Sequence, residues 1–138
     1  MIAPKNFLTI LIAIIAVSMV IIINSISDDE SDFSHFTFDA VHLKDKNSVL
    51  ITFSDETEKS SFAILEILGM EKTFHKEFKI VNSSFSQLVP LDTIPKYGWK
   101  TIPVILEITY NGFNMVKMKT EIHYEDQTPP KIIFGYND

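Results

Sequence analysis

No cysteine occurs in the 138 residues. No disulfide can staple the fold, and thiolate nucleophiles and blue-copper ligation are excluded. Glycine is scarce, at four residues, too few for a phosphate-cradling Gly-rich loop. Gly-x-Ser-x-Gly and His-Glu-x-x-His are both missing, so no hydrolase elbow or zinc-protease pair is present. Positive charge is in deficit. A formal net charge of −6 argues against nucleic acid, whose phosphates need Lys and Arg to displace counterions. The sequence therefore predicts a protein that is not an enzyme and needs no cofactor. A small extracellular domain without disulfides must rely on an apolar core, and eleven Phe with many Ile, Leu and Val can build one.

What the chain does have is a long uncharged run. Phe7 to Ile23 reads FLTILIAIIAVSMVIII, seventeen residues. As a helix it covers about 26 Å at roughly 1.5 Å per residue. The wider uncharged window, Asn6 to Ser27, covers about 33 Å, and a bilayer core of ~30 Å lies between these lengths. Thr9 and Ser18 are its polar groups, and each can bond back to a helical carbonyl. Residues 1–27 are thus expected to be an uncleaved transmembrane anchor. Ser25-Ile26-Ser27 leaves a signal-peptide cleavage site as an alternative. Lys5 precedes the run, and Asp28, Asp29, Glu30 and Asp32 follow it. By the positive-inside rule the N-terminus stays cytoplasmic and the C-terminal part faces outward. The acids lack the spacing and glycine of a calcium loop, so residues 28–34 read as an acidic juxtamembrane spacer.

From Phe33 the period changes to two. Phe36, Phe38 and Ala40 alternate with polar neighbours, and Val49, Ile51 and Phe53 do the same after the Lys44–Asn47 turn. Phe62 to Leu68 is nearly continuous in apolar residues, as in a central strand covered on both faces. Thr73 to Val81 sets Phe74, Phe78 and Ile80 against His75, Glu77 and Lys79. Phe85 to Leu91 is a short strand that Pro90 assigns to a sheet edge.

The strongest pattern is the hairpin from Ile102 to Tyr124, with Ile102, Val104, Leu106, Ile108 and Tyr110 facing Val116, Met118, Thr120, Ile122 and Tyr124. A two-residue Asn111-Gly112 turn would put Leu106 opposite Lys117. A three-residue loop, Tyr110 to Gly112, restores the parity by pairing Leu106 with Val116 and Val104 with Met118. It predicts a type I turn at Tyr110-Asn111 with Gly112 left-handed at a bulge. Residues 35–126 then form an all-β, two-sheet sandwich of about seven strands. Residues 127–138 are a Pro-containing tail whose Lys131–Phe134 run is β-prone.

Leu91-Asp92-Thr93-Ile94-Pro95, the run from Gly98-Trp99-Lys100 to Tyr110-Asn111-Gly112, and Thr128-Pro129-Pro130 resemble the last hairpin and tail of immunoglobulin-like domains. Such domains, CARDB-like and fibronectin-like, occur in membrane-anchored surface proteins of archaea and bacteria. The resemblance covers about thirty-five residues. It departs from antibody domains in lacking the paired cysteines. It implies an immunoglobulin-like sandwich and a role in cell-envelope adhesion or assembly, without naming a ligand.

Candidate sites are few. Trp99 and Tyr97 flank Gly98 and offer an aromatic platform for a glycan or protein partner, or Trp99 caps the end of the core. Phe113 at the hairpin tip is a further surface candidate. Asn82-Ser83-Ser84 spells a glycosylation sequon. Among the histidines, His35 and His42 should point to opposite faces, His75 lies on a wet face, and His123 is expected outward. His123 with Met115 and Met118 would supply soft copper ligands, but Met118 should point inward. The expected function is a single-pass membrane protein with a non-catalytic interaction or structural role in the cell envelope, its partners the bilayer and an envelope protein or glycan. Two alternatives are a pilin-like filament subunit, cut near Phe7, and a copper-handling envelope domain.

Overall fold

The computed structural model describes residues 33–91 and 95–136. The expected anchor, most of the expected acidic spacer and the loop residues Asp92 to Ile94 lie outside the described residues. Nine strands follow in order: β1 (Phe36–Leu43), β2 (Ser48–Asp55), β3 (Ser60–Ile67), β4 (Phe74–Lys79), β5 (Ser84–Pro90), β6 (Pro103–Tyr110), β7 (Asn114–Glu121), β8 (His123–Tyr124) and β9 (Ile133–Tyr136). They form two sheets, β5-β2-β1-β8 and β4-β3-β6-β7-β9. Among the described residues the helical elements are two single 3₁₀ turns, Lys44–Lys46 and Trp99–Thr101, and no helix is long and apolar enough to cross a membrane.

The alternation that predicted the strands also builds the core. Phe36, Phe38 and Ala40 of β1, Val49, Ile51 and Phe53 of β2, and Ala63, Leu65 and Ile67 of β3 are buried, as are Val104, Leu106 and Ile108 of β6 and Val116 and Met118 of β7. Each sheet turns one apolar face inward. Rings join the two layers: Phe36 of β1 meets Tyr110 of β6 at 5.3 Å and Phe134 of β9 at 6.4 Å. β3 is internal, between β4 and β6. Its outward Phe62, Ile64 and Glu66 are half-buried rather than covered, because a one-layer outer face is shielded only by its cross-strand neighbours. β5 is a sheet edge, as Pro90 required.

Two expectations about the last hairpin are corrected. The loop has three residues, but they are Asn111, Gly112 and Phe113, and Leu106 pairs with Met118, Val104 with Thr120 and Ile108 with Val116. Asn111 and Gly112 both take left-handed backbone (φ 52° and 81°), the conformation that Asn-Gly favours. Inward parity survives because the two registers differ by two residues, and a period-two pattern cannot tell them apart. The second correction is that the strand does not run through to Tyr124. It leaves the second sheet after Glu121, and His123–Tyr124 pairs in parallel with Val41–His42 in the first. Ile122 and His123 are both buried, because a chain crossing between layers turns consecutive side chains inward. The tail returns as β9, antiparallel to β7, with Met118 opposite Phe134.

Candidate interaction surfaces

The three aromatic candidates do not form one patch. Tyr97 is 78% exposed and Phe113 is 94% exposed, whereas Trp99 is buried. Tyr97 precedes the start of β6 and Phe113 follows its end. An eight-residue strand at roughly 3.4 Å per residue separates them by about 27 Å. They mark opposite poles of the sandwich.

At the Tyr97 pole lies an open groove of about 660 Å³, lined by Met70, Glu71, Lys72, Pro95, Lys96 and Tyr97 among others. Gly69 (φ 78°) sets its floor, since a Cβ there would collide with the Thr101 carbonyl oxygen. Trp99 sits under this pole as a cap. Its ring meets His42 at 4.9 Å and Tyr124 at 6.0 Å. His42 is itself 2% exposed, and neither of its ring nitrogens nor Trp99 Nε1 has a hydrogen-bond partner among the described residues. Burial, and secondarily the Lys44 ammonium, hold the His42 pKa below its ordinary value, against a smaller upward pull from Glu125.

At the opposite pole a buried carboxylate organises the β2–β3 loop. Asp55 accepts from the backbone N–H groups of Thr57 (2.9 Å), Lys59 (3.1 Å) and Ser60 (2.9 Å), and from the Thr57 and Ser60 hydroxyls (both 2.6 Å). The Thr57 and Tyr110 hydroxyls share a further bond of 3.1 Å. Burial pushes the Asp55 pKa up, but the bonds from Ser60, Thr57 and Lys59 outweigh it and hold the pKa below the usual carboxylate value. This network went unnoticed in the sequence. Its signal was an aspartate opening a polar loop with Thr two and Ser five residues on, the spacing of local carboxylate-to-backbone bonds.

The histidines are dispersed. His35 stacks on Tyr110 at 5.6 Å beyond the start of β1, and His42 lies near the other end of the same strand. His75 is exposed between Glu66 (2.8 Å) and Glu77 (3.2 Å), whose hydrogen bonds raise its pKa. His123, expected outward, is 6% exposed and bonds Asp39 at 2.7 Å. Met118 belongs to the second sheet and His123 to the first. Among the described residues no three His, Asp or Glu side chains are grouped to hold a metal ion. Asn82 is exposed at the tip of a tight turn closed by the Val81–Ser84 bridge.

The outer faces of the sheets differ in chemistry. On the second sheet, Glu107 opposes Lys117 and pairs with it at 3.3 Å, and Glu66, His75 and Glu77 form a second cluster. On the first sheet the outward positions are Thr37, Asp39, Val41 and Leu43 of β1, Leu50, Thr52 and Ser54 of β2, and Ser86 and Leu88 of β5, alternating with the buried set. Asp39 is the one charge among these nine, and it is engaged by His123 and the Ala40 N–H. No family model matches the chain, and comparison with curated proteins and with solved structures found no match.

Proposed function

We propose that the chain is a single-pass membrane-anchored protein whose immunoglobulin-like domain is displayed outside the cell and serves a non-catalytic interaction or structural role in the envelope. The observation that carries this reading is the direct succession in the sequence. An uncharged run fit to span a bilayer is followed by an acidic spacer, and a compact β unit begins at Ser34. The immunoglobulin-like assignment is supported by connectivity. The first, second and fifth strands share one sheet, and the third, sixth and seventh share the other, as in seven-stranded immunoglobulin domains. The fourth strand joins the third at the edge of the second sheet. Tyr97 and Phe113 supply exposed rings at the two poles for contact with an envelope protein or glycan. The Asn82 sequon is accessible to a glycosylating enzyme on the same side.

The test is fractionation and topology of the full-length chain in cells. The anchored reading expects the protein to stay with membranes through a carbonate wash. Added protease should reach the C-terminal domain in intact cells while an N-terminal epitope stays protected. Recovery of the unprocessed chain in the carbonate supernatant, or protection of the C-terminal domain, overturns it. Proximity labelling from the C-terminal domain then names the envelope partner. A mature N-terminus near Phe7 would instead select the filament-subunit reading.

A further inference from the structure

An asparagine side-chain amide can be attacked by the backbone nitrogen of the next residue, and a following glycine has no Cβ to crowd that nitrogen. Asn111-Gly112 is the one Asn-Gly pair in the chain. Both residues are exposed in the loop that joins β6 to β7. A Cβ on Gly112 would meet nothing within 4 Å, so the space around the pair is open. Among the described residues neither the Asn111 side-chain amide nor the Gly112 N–H has a hydrogen-bond partner. Electrophile and nucleophile are therefore both accessible and unengaged.

The other described asparagines lack this combination. Asn47 donates its side-chain amide to the Leu91 carbonyl at 2.7 Å, and Ser48 after it is buried at the start of β2. Asn82 is exposed, but the Ser83 that follows is buried and carries a Cβ. Asn114 is followed by Met115, which is held opposite Thr109 in the β6–β7 ladder. Ring closure at Asn111 needs ψ to turn until the Gly112 nitrogen lies beside Cγ. The left-handed start (φ 52°) is one that L residues enter at a cost, and Gly112 can follow in either hand. Asn111 N–H donates to the Lys59 carbonyl at 3.0 Å. That bond lies before the Cα–C bond that turns, so it need not break.

We propose that Asn111-Gly112 is a self-modification site, at which the folded protein converts its own asparagine to aspartyl and isoaspartyl forms with water as the only co-reactant. The Gly112 nitrogen gives its proton to hydroxide and bonds to Asn111 Cγ. The Cγ–Nδ2 bond breaks, and the leaving nitrogen takes a proton from water and departs as ammonia, which regenerates hydroxide. Water then opens the five-membered imide. Addition at the side-chain carbonyl leaves an aspartyl residue, and addition at the main-chain carbonyl leaves the isoaspartyl form. The net change is amide plus water to carboxylic acid plus ammonia. Either product sets a negative charge beside Phe113, the most exposed of the large apolar side chains among the described residues. The isoaspartyl form also lengthens the loop backbone by one carbon, so the turn that presents this ring changes shape. None of this depends on membrane attachment, so it holds or fails separately from the anchored reading.

The test is to incubate the purified full-length chain in mildly alkaline heavy-oxygen water, with a parallel sample unfolded in urea. Peptide mass mapping, with fragmentation that separates Asn111 from Asn114, reads where the label enters. In the folded sample Asn111 should take up label about ten-fold or more faster than Asn47, Asn82 or Asn114. Its product should separate by chromatography into aspartyl and isoaspartyl peptides. Asn111→Gln must close a larger ring, and Gly112→Ala crowds the attacking nitrogen, so each should lower labelling at position 111 about ten-fold or more. The melting temperature of each variant checks that the fold is kept, and either variant suffices. No label at Asn111, label there in urea but not in the folded sample, equal labelling of Asn82 or Asn114, or labelling insensitive to both changes overturns the proposal.

Discussion

The two sheets are alike on the inside and unlike on the outside. Facing the core, both present mainly apolar side chains at alternate positions. Facing solvent, the second sheet sets Glu107 opposite Lys117 and Glu66 opposite His75 among Phe62, Ile64, Ile105 and Met115, while the first presents Thr, Ser, Val and Leu with one engaged aspartate. The inner faces follow from the need to bury apolar area at about 25 cal/mol per Å². The outer faces are under no such demand, so their side chains are free to differ. Paired charges mark the outer face of the second sheet, and hydroxyl and aliphatic side chains mark that of the first.

The largest effects test the likeness. Ile51→Ala in β2 and Leu65→Ala in β3 remove fully buried side chains from opposite inner faces. Each should cost about 2–5 kcal/mol in urea unfolding, from lost transfer energy plus the cavity left behind. A difference between them larger than that range would mean that one sheet carries the fold and the other merely leans on it.

Next in size is Asp55, at the end of β2. Asp55→Asn leaves an amide N–H₂ group facing donors and should cost about 2–3 kcal/mol. The pH dependence has a definite sign. Asp55 has a folded pKa below the ordinary 3.8. Its stabilisation is therefore complete above the unfolded value and is lost as pH falls through the folded one. The wild-type melting temperature should drop steeply below about pH 4, and the asparagine variant should show a shallower drop over the same window.

The legible and illegible parts of the molecule divide along a physical line. Strand positions and inward residues were readable because alternation is a direct record of a half-buried strand. Leu106 and Met118 were correctly placed in the core, yet their pairing with each other was not, since parity leaves the register free in steps of two. His123 was assigned outward by continuing the alternation past Ile122. No residue type there announces that the chain changes sheets, and the cause is tertiary: β1 has a vacant side for β8. The Asp55 network was legible in principle, through spacing, and was hidden among the charges of Ser54 to Ser60. The separation of Tyr97 from Phe113 needed only the length of β6. The burial of Trp99 needed its neighbours His42 and Tyr124, which are distant in sequence.

Two histidines sharpen the contrast between the sheets by titrating in opposite senses. His42, buried at the end of the first sheet, has a lowered pKa, so the unfolded chain takes up a proton more readily than the folded one. Its effect is loss of stability as pH falls below 6.5, levelling once the folded form is protonated too. His75, exposed on the second sheet, has a raised pKa. Its contribution is present below 6.5 and disappears as pH rises through the folded value. His42→Phe should flatten the acid-side decline in melting temperature between about pH 7 and pH 5. His75→Ala should lower stability slightly at pH 5 and leave it unchanged at pH 8. If His42→Phe leaves the decline intact, burial at that pole is not what destabilises the charged imidazole.

The smallest effect concerns the paired charges. Lys117 lies directly opposite Glu107, with Nζ 3.3 Å from Oε1. Both side chains are partly open to water, so solvent screens the attraction and ordering a long lysine costs entropy. Lys117→Ala should therefore destabilise by only about 0.5 kcal/mol at low salt, and by less as ionic strength shortens the screening length. Urea midpoints at low and high salt measure both quantities. A loss several times larger, or one that salt does not reduce, would show that this face is desolvated rather than kept wet. It would then also be a covered surface, and the contrast between the two outer faces would narrow.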